Sequence, residues 1–205
     1  MNAVLVAEGL QKNFGAVTAA SDIHLSFERE SVASLIGANG AGKTSFLNMV
    51  TGYLRPDSGS IRFDGRELTG RSPREITGLG IRRSFQIPQL FDSLSVRENL
   101  LVAEDVAAAE RGEAATDAVR ERFGLAQYGA QLAGHLPEGI RKLLDVALAL
   151  VAKPRILLLD EPTSGVAADE KFGIMDLVMG AVRGQGVTVL FTEHDMDIVS
   201  RYAAR

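Results

Sequence analysis

The sequence predicts an α/β fold, and three observations carry that expectation. An apolar run, Ser31-Val-Ala-Ser-Leu-Ile36, leads into a glycine-rich loop, after which Phe46, Leu47, Val50 and Leu54 recur at helical spacing. Two later β-like runs, Ile156 to Leu159 and Val187 to Phe191, flank a helical segment around Phe172 to Val182, the β-α-β order of a parallel sheet. Between these regions, from about Pro88 to Ala152, the chain reads as mostly helical.

In chain order, short β-like runs at Val4 to Ala7 and Ile23 to Phe27 alternate with polar turns and predict an antiparallel sheet ahead of the glycine-rich loop. The segment Ser60-Ile-Arg-Phe-Asp-Gly65 ends in an Asp-Gly turn signal, consistent with a hairpin that joins this sheet. Helical character then dominates, in an alanine-rich stretch from Ala103 to Arg122 and an apolar run from Leu143 to Val151. No internal repeat, heptad array or low-complexity linker divides the chain, and prolines and glycines only punctuate elements. The 205 residues suit one domain able to bury a substantial core.

Composition narrows the function classes. With 46% hydrophobic and 23% charged residues the chain is an ordinary globular protein, which argues against disorder. Without cysteine there are no disulfides and no thiolate chemistry, so a metal must take oxygen or histidine ligands. A net charge of −4 gives no footprint for nucleic acid. The best basic set, Arg62, Arg66, Arg71, Arg74, Arg82 and Arg83, lacks interleaved aromatics and is expected to form a solvated surface. No apolar run approaches the ~20 residues of a spanning helix, and no signal core opens the chain, so a membrane role requires a partner.

The glycine-rich loop carries the first chemistry. Gly37-Ala-Asn39-Gly40-Ala41-Gly42-Lys43-Thr44 has the Gly-x-x-x-x-Gly-Lys-Thr spacing of a loop built around the terminal phosphates of a nucleoside triphosphate. Glycines let successive N–H groups turn inward, Lys43 adds a charge near the β- and γ-phosphates, and Thr44 offers a hydroxyl to Mg²⁺. Ser45 continues the loop into a helix whose positive end faces the same phosphates. The second is Ile156-Leu-Leu-Leu-Asp160-Glu161, read as a buried strand whose carboxyl end opens onto the phosphate site. There Asp160 would support Mg²⁺ and Glu161 would activate the attacking water. The plainer alternative is a core strand ending in solvated acids.

The loop, Asp160-Glu161-Pro162-Thr163 and Thr192-Glu193-His194-Asp195 together resemble, in order and spacing across nearly the whole chain, the nucleotide-binding domains of ATP-binding cassette (ABC) transporters. Within that family the resemblance points to ATPase subunits of branched-chain amino-acid importers, through Ser84-Phe-Gln-Ile-Pro-Gln-Leu-Phe91, Val96-Arg-Glu-Asn-Leu-Leu-Val-Ala103 and Leu136-Pro-Glu-Gly139. It implies a P-loop NTPase core with a mainly parallel sheet, an N-terminal antiparallel β subdomain, and a helical subdomain inserted over about 88–152. It also assigns roles: Gln86 reaches Mg²⁺ and the attacking water, His194 contacts the γ-phosphate, and Phe14 stacks on adenine. Without the resemblance Gln86 is a polar residue after a strand, and Phe14 could equally be a core ring in a turn. His24 and His135 match no such position and read as structural.

Three departures accompany the match. Leu136-Pro137-Glu138-Gly139-Ile140 stands where relatives carry Leu-Ser-Gly-Gly-Gln, so serine hydroxyl and glutamine amide are absent, although Pro137 and Gly139 can still open a helix whose N–H groups face a partner's γ-phosphate. Ala167 replaces an expected aspartate or asparagine. Relatives usually continue past the last helix with further strands, which are expected to be missing beyond Arg205. The resemblance implies ATP and Mg²⁺ as cofactors, and a homodimer or a heterodimer with a second ABC ATPase. It further implies transmembrane permease subunits, an indirect solute-binding protein, a place on the cytoplasmic face of the membrane, and no nucleic acid. Alternatives are an export ATPase of the lipopolysaccharide type, a soluble ABC ATPase, a GTPase or small-molecule kinase with the same loop, and a cassette that binds nucleotide without turning it over.

Overall fold

The computed structural model describes residues 3–38, 40–106 and 112–204. Two sheets organise it. Strands β1 (Ala3–Phe14), β2 (Val17–Glu28), β4 (Ser58–Phe63) and β5 (Arg66–Glu67) form an antiparallel sheet in the order β2-β1-β4-β5. Strands β3 (Val32–Ile36), β6 (Ile81–Ser84), β7 (Ile156–Asp160) and β8 (Thr188–Glu193) form a parallel sheet in the order β3-β8-β7-β6. The antiparallel, parallel and helical parts correspond to the expected fold class, but β1 and β2 run twelve residues each, far longer than the short apolar runs suggest. Their register shifts account for the difference, because irregularities between Ala7 and Leu10 and around Lys12 break the alternation that marks a strand in sequence. Asp64 (φ 49°) and Gly65 (φ 74°) both adopt the left-handed conformation required between β4 and β5, as the Asp-Gly signal implies.

Helix α1 (Lys43–Val50) follows the glycine-rich loop. It ends before Leu54, whose N–H instead donates to the Asn48 carbonyl past the last turn. Helix α2 (Pro73–Gly78) starts with a reciprocal capping box between Ser72 and Glu75 and with proline in the first turn. The same device, Ser95 with Glu98, opens α3 (Val96–Val106). Helices α4 (Gly112–Arg122) and α5 (Glu138–Val151) complete the helical block between β6 and β7. After β7 come α6 (Lys171–Val182), then β8, then α7 (Met196–Tyr202).

The parallel sheet is buried on both faces, which explains why β7 is uniformly apolar until its last residue. Alternate residues serve opposite cores. Leu157, Leu159, Val189 and Phe191 pack with α5, α6 and α7, whereas Ile156, Leu158 and Leu190 pack with α1 and the antiparallel sheet. Parallel register then aligns the strand ends: Asp160 pairs with Thr192, Ile36 with Glu193, and Ser84 with Leu159. The segments that follow β3, β6, β7 and β8 therefore emerge at one edge, where open α/β sheets bind ligands.

One expectation is overturned here. Arg83 does not belong to a solvated basic surface: its side chain is 5% exposed, and it bonds Asp160 and Asn48. Strand β6 carries it beneath the sheet edge, and its lack of an apolar pattern hides it from periodicity arguments. Arg62 of the same set does remain about half exposed, paired with Glu8 and Glu67.

Because Leu158 of β7 is fully buried in the core shared with α1 and the antiparallel sheet, Leu158→Ala should lower unfolding free energy by about 2–5 kcal/mol, measured by urea titration with an unchanged denaturant slope.

Candidate functional site

The glycine-rich loop joins β3 to α1, and its backbone is set by a close approach. Gly42 has φ +86°, and a Cβ there would sit 2.0 Å from the Ala19 carbonyl oxygen, so no side chain is tolerated where β2 crosses the loop. No side chain caps the start of α1, which leaves its first N–H groups facing the loop. Lys43 folds across the loop, its Nζ donating to the carbonyls of Gly37 (2.6 Å) and Ala38 (3.1 Å). Asn39 lies outside the described residues. Gly40, Ala41, Gly42, Lys43, Thr44 and Ser45 line a cleft of about 250 Å³, together with Phe14, Val17, Ala19 and Glu161. Phe14 ends β1, is 52% exposed, and has Lys12 Nζ 5.6 Å from its ring centre. Its exposure removes the alternative of a core phenylalanine and leaves a π surface at one end of the cleft.

At the carboxyl end of β7, Asp160 is 2% exposed and fully engaged. Its Oδ2 accepts from Arg83 Nη2 at 2.6 Å, and its Oδ1 accepts from Thr192 Oγ1 at 2.8 Å and from Thr44 Oγ1 at 3.4 Å. Thr44 and Asp160 thus bring two oxygen donors together, the donor class that suits Mg²⁺, an ion that keeps most of its shell as water. Among the described residues no cluster of three His, Cys, Asp or Glu offers any other metal site.

Glu161 is the centre of a second group. It adopts φ +48°, which turns its side chain out of the strand direction and into the cleft. One oxygen lies 2.6 Å from His194 Nε2 and the other accepts from Gln86 Nε2 at 2.9 Å. Neither bond is local in sequence: Gln86 follows β6, Glu161 follows β7 and His194 follows β8. The geometry places a carboxylate between a histidine and an amide beside a phosphate-sized loop, which is an arrangement able to orient and deprotonate a water.

The neighbours that hold these groups belong to the same motifs, which by themselves give them no role. Thr192 Oγ1 accepts the Glu161 N–H at 3.0 Å while donating to Asp160. Buried Glu193 accepts from the N–H and hydroxyl of Thr163 and from the N–H of His194. Their signal is the run Thr192-Glu193-His194-Asp195, where two polar residues follow the apolar Val189 to Phe191 at the end of the strand. Pro137 and Gly139 do not line the cleft. They stand at the start of α5, where Pro137 provides no side-chain cap and a Cβ on Gly139 would lie within 4 Å of Ile174, Glu170 and Val166. Glu138, the first residue of α5, has its side chain 49% exposed beside Arg141.

The chain is similar in sequence and fold to known proteins. Residues 20–164 match the family described as ABC transporter. The chain is 34% identical to the high-affinity branched-chain amino acid transport ATP-binding protein BraF of Pseudomonas aeruginosa, covering 96% of this chain and 84% of that protein. It is 32% identical to the corresponding protein LivG of Escherichia coli, with the same coverage of 96% and 84%. Its fold resembles the crystal structure of the ADP conformation of an ATP-binding cassette of an ABC transporter, with a TM-score of 0.87 and 30% identity over 99% of this chain and 85% of that one.

Replacing Arg83 by methionine strands Asp160 as a buried carboxylate, and the change should cost about 3–5 kcal/mol of stability in urea unfolding. Arg83→Lys should cost less, because it keeps the charge while losing the fork that reaches both Asp160 and Asn48.

Proposed function

The chain belongs to the ATP-binding proteins of ABC transporters, and from that premise we propose that it binds and hydrolyses ATP to energise branched-chain amino-acid uptake through membrane permease subunits. The observation that carries the reading is Glu161, held between His194 and Gln86 at the mouth of the phosphate loop. The names of the relatives BraF and LivG supply the substrate class.

Chemistry at such a site is mostly positioning and electrostatics. The amides from Gly37 to Thr44 and the start of α1 receive the phosphates, and Lys43 exchanges its two carbonyl partners for phosphate oxygens. Thr44, Gln86 and Asp160 would hold Mg²⁺, which would supply positive charge to offset the negative charge of the phosphates. Glu161 accepts the proton of the attacking water, and His194 donates toward the γ-phosphate. The exposed ring of Phe14 takes the adenine.

In this reading two cassettes, identical or related, pair head to tail, each lending the uncapped start of α5 at Pro137 and Gly139 to the other's γ-phosphate. Among the described residues no helix is long and apolar enough to cross a membrane. As in transporters of the relatives' class, the subunit would work at the cytoplasmic face, against permease subunits that receive solute from a solute-binding protein, and the membrane subunits that copurify with it test the importer assignment.

Glu161→Gln keeps the shape but replaces one of the two acceptor oxygens with a donor and removes the base. It should slow phosphate release by about a hundredfold or more while ATP binding stays within about twofold, and it should accumulate an ATP-bound dimer on size exclusion. Unchanged hydrolysis would remove Glu161 from its role.

A further inference from the structure

Helix α5 carries two buried ionisable side chains that the site described above leaves unexplained. Lys142 and Asp145 are 4% and 6% exposed, and their three-residue spacing puts them on one face of the helix. Neither serves the core in the ordinary sense. Lys142 Nζ donates to the backbone carbonyls of Gln86 (3.1 Å) and Glu161 (3.2 Å). Asp145 accepts the N–H of Phe85 on one oxygen (2.9 Å) and the N–H of Gln89 on the other (3.0 Å). One carboxylate thus grips both feet of the segment 85–89, and one ammonium joins the middle of that segment to the residue after β7.

Burying these charges is expensive. Burial lowers the Lys142 ammonium from its usual range and pushes the Asp145 carboxyl up to about 6, against the lowering effect of its two backbone donors and of Lys142. Apolar residues would pack α5 against the sheet at smaller cost, so stability alone does not explain the pair. All four backbone groups that they hold belong to Gln86, Glu161 or the two feet of the Gln86 segment. Gln86 and Glu161 are in turn bonded to one another.

The same helix begins at Glu138, directly after Pro137. From there to Lys142 and Asp145 is roughly 6–10 Å along a rigid helix at 1.5 Å per residue. We propose that Lys142 and Asp145 are positioning residues that tie the Gln86–Glu161 pair to the start of α5, so that seating this start on a partner's nucleotide sets the geometry of the chain's own hydrolytic pair. The inference rests on the ATPase reading given above. It supplies a route between two composite sites that does not depend on position 167, where this chain has alanine.

The test uses the full chain with Asp145→Asn, Lys142→Met and Lys142→Arg. Asparagine keeps the shape but replaces one of the two acceptors with a donor, methionine removes the ammonium, and arginine keeps donors for both carbonyls. Asp145→Asn and Lys142→Met should each lower kcat for Mg-ATP by about tenfold to a hundredfold while the Kd of a non-hydrolysable ATP analogue stays within about twofold, since neither residue touches the phosphate loop. Lys142→Arg should recover kcat to within about threefold of the native value. Amide exchange across 85–89 should quicken by about tenfold or more in Asp145→Asn, with β7 and β8 unchanged. Native kcat in both variants, a matching loss of nucleotide affinity, or unaltered exchange at 85–89 would each overturn the proposal. A native chain that hydrolyses no ATP would refute the ATPase reading instead, and exchange at 85–89 would then decide the tie by itself.

Discussion

The buried carboxylate of Asp160 is the constraint around which the rest of the structure is arranged. A charge at 2% exposure is tolerated only when it is fully paired, and its partners come from three different elements: Arg83 on β6, Thr192 on β8 and Thr44 on α1. The parallel sheet delivers two of them through register, since Asp160 lies opposite Thr192 and β6 runs directly alongside β7. The glycine-rich loop delivers the third by turning the chain back so that α1 starts over the strand ends. Satisfying this one group therefore fixes the phosphate loop, the edge strand and the strand that ends at His194 relative to one another.

Function follows from what is placed just past that fixed point. Glu161 leaves the strand with a positive φ and meets Gln86 and His194, which arrive from the two strands flanking β7. Thr192 and Glu193 then hold the backbone on either side, so Glu161, the proposed base, is braced from the neighbouring strand. Helix α5 adds a connection of a different kind, since Lys142 and Asp145 bond the Gln86 segment and Glu161 to the helix that starts at Glu138.

The parts of the structure whose signals are local are legible in the sequence. The phosphate loop, Asp160 and Glu161 after an apolar strand, and the β-α-β order near the end all depend on spacing within a few residues. Strand β6 was out of reach because Ile81-Arg-Arg-Ser84 has no apolar alternation, and its burial is created by the pairing with β7. The same is true of Arg83, an apparent member of a solvated basic set until the fold sets it against Asp160. Lys142 and Asp145 sit in a helix whose apolar neighbours conceal them, and their partners are 19 and 56 or more residues away in the chain. Gln86, His194 and Phe14 were legible only through family resemblance, since a lone polar or aromatic residue after a strand carries no signal of its own. The exposed ring of Phe14 and the contacts of Gln86 and His194 with Glu161 supply a physical reason for attention to each.

Phosphate release from Mg-ATP by the purified chain tests the central claim most directly, measured with and without EDTA and beside Lys43→Ala. Saturable release is expected, lost on chelation and lost in Lys43→Ala, with that variant still folded by circular dichroism. Release that persists without Mg²⁺ or without Lys43, or none at all from a folded native chain presented with its pairing partner, would contradict it.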